Sequence, residues 1–308
     1  KNGVKVVVLP TEYKKDQVII NLSMDGGRTL IATEDLPSFE DNIWALFLRN
    51  CGLSKFSGTT LPKMLAGKTA NANPFISNLT HGISASSTPK DVETALQLLY
   101  LTFTDPRFDE DEFQIGIQQI KAILPNIQKD PDFQFQIEKE KVFYNNNPRV
   151  LALNDELLTK ANLATVERVY RELFKDAAGA EVNIVGNVDL AVLKPLVEKY
   201  IGSLPKGKKA TDWIKENCIS VADGQVEKTV NIKMQDPKST VHQLYTAYLP
   251  YDIKTGVTLD VANYILDMIY TKTIREEQGG TYGVGCAIQG RKKPVERIDI
   301  HVLFTTNV

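Results

Sequence analysis

The residues in this sequence best placed to do chemistry are an arginine and a tyrosine on either side of two glycines. Arg275 lies at the end of a long helical pattern, and Tyr282 follows seven positions later, across Gly279 and Gly280. Adjacent glycines let a backbone turn sharply and leave room for another chain to approach. Arginine brings a fixed fork of N–H donors, and tyrosine a phenolic O–H on a stiff ring. Such a pair can hold a peptide carbonyl or stabilise the oxyanion that develops from it. The same residues fit an ordinary structural role: arginine at a helix C-terminus favours the dipole, and tyrosine entering a strand follows β-propensity. Residue types and spacing leave both readings open.

The other candidates are weaker. The histidines are His81, His242 and His301, and the nearest two are 59 residues apart. A helix-borne zinc site needs two histidines about one turn apart with a carboxylate beside them as base. Each histidine therefore reads as structural or superficial, with a site gathered from distant strands as the alternative. Cys51, Cys218 and Cys286 are odd in number and widely separated, which supports neither a zinc ribbon nor a disulfide framework. No G-x-S-x-G elbow is present, and neither Cys51 nor Cys286 has a partner that marks it as a nucleophile. Gly67-Lys68-Thr69 has Pro62 where a phosphate-binding loop needs its first glycine. The glycine-rich run from Gly279 to Gly285 leads from helix into strand, the reverse of a dinucleotide fingerprint. The 308 residues hold no complete catalytic machinery.

The elements that must position these residues come from an ordinary globular composition, 43% hydrophobic and 24% charged. At about 150 residues per domain, 308 residues suggest two domains. Disorder, collagen-like repeats and a disulfide scaffold are excluded. A formal charge of −2 implies no surface for nucleic acid, and no apolar run approaches the ~18 residues that span a bilayer. The chain opens at Lys1 without a methionine and stops just after the alternating run Ile298, Ile300, Val302, Phe304. A piece of a longer protein is the expectation.

Strands are expected at Val4–Leu9 and Gln17–Met24, joined as a hairpin, and again near Thr69–Ile76 and Leu79–Ala85. Between these pairs, Phe39–Asn50 reads as a largely buried helix. Thr88 reads as an N-cap, with Pro89 at the first helical position and Val92, Ala95, Leu96, Leu99 and Phe103 on one face. Further helices are expected from Asp109, over Asp132–Tyr144, over Leu163–Phe174 and over Leu190–Tyr200, with a strand at Ala180–Val185. The Lys-rich stretch Pro205–Asp212 reads as a linker. After it, strands at Lys228–Met234 and Val241–Leu249, a helix over Val257–Glu277 and strands at Thr281–Gln289 and Ile298–Thr305 repeat the opening order. Val261, Ile265, Met268 and Ile269 are expected to form the buried face of that long helix.

At the arginine and tyrosine the sequence becomes recognisable. Arg275-Glu276-Glu277-Gln278-Gly279-Gly280-Thr281-Tyr282-Gly283-Val284 resembles the Arg/Tyr signature in the C-terminal half of the pitrilysin/insulinase family of zinc metallopeptidases. Gly186-Asn187-Val188-Asp189 with Tyr200-Ile201-Gly202-Ser203-Leu204-Pro205 resembles that family's domain ending, and Asn2-Gly3-Val4-Lys5-Val6-Val7-Val8 its opening. The resemblance implies an α+β fold of duplicated domains, mainly antiparallel sheet packed with helices, with the second copy truncated. Residues 1–205 would be a complete non-catalytic domain, 206–211 a linker, and 212–308 the start of the next, corresponding to the third and part of the fourth domain of a bacterial-type member.

It further implies zinc bound by H-x-x-E-H in an N-terminal half outside this chain, with no metal held here. The helix near Phe39–Asn50 would stand where a catalytic domain has its zinc helix. Arg275 and Tyr282 would contact the scissile carbonyl and its transition state, and Gly279 and Gly280 the substrate. The partners implied are an unfolded peptide or small protein substrate and the N-terminal half, or a partner subunit. The implied compartment is a bacterial periplasm or cell envelope, and the fragment is expected to be inactive alone. Some relatives of this family have lost catalysis, so a structural or partner subunit is the alternative.

Overall fold

The computed structural model describes residues 2–277 and 281–307, Tyr282 and Asn307 for their backbone alone. Two apolar runs form strands β1 (Lys5–Pro10) and β2 (Val18–Asp25). Helix α1 (Asp41–Asn50) starts at Glu40, whose carboxylate accepts the N–H groups of Asn42 and Ile43. A single turn, α2 (Leu61–Met64), precedes strands β3 (Ala70–Ile76) and β4 (Thr80–Ser87). The expected cap at Thr88 takes another form. Its hydroxyl donates to the buried Asp91 carboxylate, which also accepts the Thr69 N–H, and a tight turn over Pro89–Asp91 delays helix α3 to Val92–Thr104.

Helix α4 (Glu110–Lys129) begins where the Asp109 carboxylate accepts the Glu112 N–H. Asp130 and Pro131 open α5 (Pro131–Phe143), and Asn154 and Asn162 cap α6 (Asp155–Lys160) and α7 (Leu163–Leu173). Strand β5 (Glu181–Gly186) and helix α8 (Leu190–Tyr200) follow. The last part holds β6 (Lys238–Ala247), α9 (Ile253–Tyr270), β7 (Thr281–Arg291) and β8 (Arg297–Asn307).

The chain divides into two compact units. Lys1–Ile127 with Leu151–Ile219 form the first, and Gln128–Val150 with Ser220–Val308 the second. The first unit is built on a five-stranded sheet in the order β1-β5-β2-β4-β3, with β1 parallel to β5 and the other pairs antiparallel. The expected β1–β2 hairpin therefore does not form, because β5 enters between them. Val182 and Ile184 of β5 and Val18, Ile20 and Leu22 of β2 are all fully buried, so these strands take the centre. Val7 and Leu9 of β1 stay largely exposed, which suits an edge. Helix α3 packs on β3 and β4 through the face foreseen for it, with Ala95, Leu96 and Leu99 fully buried. Tyr170 sits among Trp44, Phe47, Phe108 and Phe174, and its hydroxyl donates to the Thr102 carbonyl at 2.7 Å.

The second unit carries a three-stranded antiparallel sheet in the order β6-β8-β7. Strand, helix, then a strand pair whose last member enters the middle is the connectivity of β2-β4-β3 as well, so the two sheets repeat one pattern. Residues 228–234, expected as the first strand of this repeat, form no strand. The physical reason is visible in the first unit, where β1 is held only by β5. No strand of the β5 kind stands beside β6 among the described residues, so residues 228–234 have no ladder to join.

Candidate functional site

Helix α9 starts at Asp252, whose carboxylate accepts the Thr255 N–H at 2.7 Å. Its far end loosens into a π-helical turn, Thr271–Glu277, and Arg275 is exposed on that turn. Widened turns of this kind recur at functional sites because they re-aim side chains that a regular helix would direct elsewhere. Gly279 and Gly280 lie outside the described residues. On the other side, Tyr282 belongs to β7, inside a break of register between Thr281 and Val284. Thr281 organises this bulge: its hydroxyl accepts the Gly283 N–H and is within bonding distance of the Gly283 and Thr305 carbonyls. A bulge turns a strand's side chains off the regular alternation. The π-turn packs against β7, so Arg275 and Tyr282 stand on two touching elements.

What fastens α9 to β7 was not foreseen from the sequence. Asn263 and Asp267, one helical turn apart, accept the backbone N–H groups of Ile288 and Cys286 at 2.8 and 3.2 Å. Their spacing of four was the available signal. This contact also reverses the expected burial. At 100° per residue, Val261, Ile265, Met268 and Ile269 fall on the side of the helix away from Asn263 and Asp267. They are 44–55% exposed rather than buried, and form an apolar strip.

The structure also brings together two histidines that the sequence kept apart. His242 on β6 and His301 on β8 are diagonal neighbours on one sheet face, with His242 Nε2 and His301 Nδ1 3.0 Å apart. Phe143 of α5 meets the His242 ring edge-on at 5.1 Å. Burial lowers the pKa of both rings, and Lys139 of α5 and His301 help hold His242 down to about 4. Arg291 and Arg297 also press on His301, while Asp299 acts in the opposite sense. His81 is elsewhere, fully buried, bonded to the Leu173 carbonyl and the Gly27 N–H.

These groups do not make a zinc site. The histidine pair has no third ligand and has an ammonium close by, and among the described residues no group of three or more His, Cys, Asp or Glu could hold a metal. The pair has a consequence for stability instead. An unfolded chain takes protons on these imidazoles near pH 6.5, the folded protein only below it, with His242 down at about 4. Between these limits the unfolded state binds more protons, so stability is full above about pH 6.5 and falls as the pH drops toward the folded value. Urea titrations at pH 7, 5.5 and 4.5 should show a falling midpoint, with a shallower pH dependence in His242→Gln. An unchanged slope in that variant would assign the effect to other groups.

Residues 160–294 match the peptidase M16 inactive domain. The matched span contains Arg275, Tyr282, α9 and β7. The chain is 25% identical over 206 residues to a "Zinc protease PQQL-like" of Arabidopsis thaliana, covering 67% of this chain and 19% of that protein. It is 24% identical over 292 residues to the probable zinc protease PqqL of Escherichia coli strain K12, covering 92% of this chain and 30% of that protein. The chain thus spans less than a third of the curated relatives it matches. In three dimensions it superposes on the periplasmic protease PqqL of E. coli with a TM-score of 0.83 at 19% identity, covering 99% of this chain and 33% of that one. On the first half of PqqL alone the TM-score is 0.62 at 13% identity, over 99% of this chain and 67% of that one. The fold is the α+β fold of the M16 proteases, and among the described residues no helix is long and apolar enough to cross a membrane.

Proposed function

We propose that these residues form the substrate-binding wall of a zinc metalloendopeptidase, facing a zinc site held by the N-terminal half of the same protein. Arg275 and Tyr282 contact the scissile carbonyl of an unfolded peptide or small protein, and Gly279 and Gly280 leave room for its backbone. The observation that carries this reading is the match to the M16 inactive domain across a span containing both residues, where a π-turn ends and a bulged strand begins. A guanidinium and a phenol aimed at one carbonyl oxygen strengthen their hold as negative charge builds there.

On this reading residues 1–205 are one complete non-catalytic domain, 206–211 join it to the next, and 212–308 begin a second copy. The shared order of β2-β4-β3 and β6-β8-β7 supports the duplication. The stronger likeness to whole PqqL than to its first half supports a place in the second half. The exposed apolar strip of α9 is what an interface with the N-terminal half or a partner subunit would cover. The periplasmic setting of PqqL makes a periplasm or cell envelope the compartment we propose.

The chain has no metal site of its own on this account and is inactive alone. Adding it with zinc to an internally quenched peptide should give no turnover. Robust cleavage that a chelator abolishes would overturn the reading.

A further inference from the structure

The attachment of α5 to its sheet is thin. None of its 13 residues is buried, whereas the equally long α3 buries seven. Phe143 stands 5.1 Å from the His242 ring and 6.4 Å from that of His301. The Lys139 ammonium, one helical turn earlier on the same side, is half-buried and acts on both rings. The Ala222 N–H donates to the Phe143 carbonyl at 2.7 Å. Lys228 with Glu138 at 2.8 Å and Lys238 with Asp132 at 3.0 Å add surface ion pairs, which contribute little.

A separation of 3.0 Å between His242 Nε2 and His301 Nδ1 has room for one hydrogen. With both rings neutral, one nitrogen donates it and the other accepts. A first added proton goes to the far nitrogen of the donating ring and keeps that bond, but it places a cation beside Lys139. Arg291 and Arg297 repel it as well, and Asp299, already bonded to both, acts on His301 in the opposite sense. Glu138 is engaged by Lys141 and Lys228, Glu140 lies by Lys139 and Tyr144, and neither acts on His242. A second proton must enter the facing acceptor, which aims two N–H groups at each other and parts the rings.

We propose that the His242–His301 pair is an acid-operated catch: protonation drives α5 off the β6–β8 face while the sheet stays folded. Lys139 and Phe143 carry the effect to the helix, one by charge repulsion and the other by losing the neutral rings beside it. β6 and β8 are paired along ten positions and tied through Thr246 and Asp299, and no imidazole enters those bonds. One helix therefore opens before the global loss of stability that the same imidazoles cause. The inference stands on the second unit alone and does not depend on the roles of Arg275 and Tyr282.

The test is amide hydrogen exchange on the 308-residue chain at pH 7, 5.5 and 4.5, with protection corrected for the intrinsic rate at each pH. Each proton that only the released state takes up weakens docking by up to about tenfold per pH unit. Protection over residues 131–143 should fall about tenfold or more between pH 7 and 4.5, while residues 238–247 and 297–306 keep theirs. His242→Gln keeps a hydrogen-bonding side chain that takes up no proton, and should flatten the fall. Lys139→Met removes the facing ammonium and should move the fall to lower pH, so it decides the matter if the glutamine variant does not fold. Unchanged protection at pH 4.5, equal loss over helix and sheet, or the same fall in a folded variant would each overturn the proposal.

Discussion

Replacing Arg275 by alanine in the complete protein is expected to lower peptide turnover by about 100-fold or more, and Tyr282→Phe by a similar factor. The size follows from the chemistry assigned to them. A donor that meets a carbonyl oxygen in the substrate meets an oxyanion in the transition state, so its removal should fall mainly on kcat rather than KM. Arg275→Lys should recover little, since a single ammonium cannot reproduce a planar fork of donors. Exposure of Arg275 on the π-turn makes its replacement mild for folding, so circular dichroism and thermal midpoint should stay near those of the parent. Kinetics unchanged in both variants would leave only the structural account: a cation at a helix end and an aromatic residue at a strand start.

The largest stability loss is expected from Asp299→Ala. Asp299 is 2% exposed and accepts from Arg297 at 2.8 Å, from Arg291 at 2.9 Å and from the Thr246 hydroxyl at 3.2 Å. Arg297 is itself 6% exposed, with its Nε lacking an acceptor. Deleting the carboxylate strands a guanidinium that cannot reach water. Breaking a buried pair in this one-sided way costs about 3–5 kcal/mol. Urea unfolding followed in the second unit should register that loss, while Arg291→Ala, which removes the more exposed partner, should cost much less. A loss below about 1 kcal/mol for Asp299→Ala would mean that Arg297 finds solvent after all.

Asp299 bears on the candidate site through β7 and β8. Asp299 ties β8 to β6 through Thr246 and to the end of β7 through Arg291, and β7 carries Tyr282. Asn263 and Asp267 then fix α9, and with it the turn that bears Arg275, to the same strand. The pair proposed to contact substrate would thus be held by bonds made by other residues, as a site needing tight geometry requires.

The amino-acid sequence by itself determined what depends on neighbours along the chain. The helix start at Asp109, the helices expected over Asp132–Tyr144 and Leu163–Phe174 and the buried face of α3 all follow from contacts within one or two turns. The Arg275–Tyr282 motif was legible for the same reason, since its glycines and its seven-residue spacing are local. Only the tertiary structure decided which strands pair. Insertion of β5 between β1 and β2, the loss of a strand at 228–234 for want of a partner, the meeting of His242 with His301 across 59 residues and the outward turn of Val261 and Ile265 all depend on what is brought alongside from far along the chain. Period two or 3.6 tells which residues share a face. It carries no information about what that face will meet, because ladder bonds and burial are settled by competition among all the strands and helices at once.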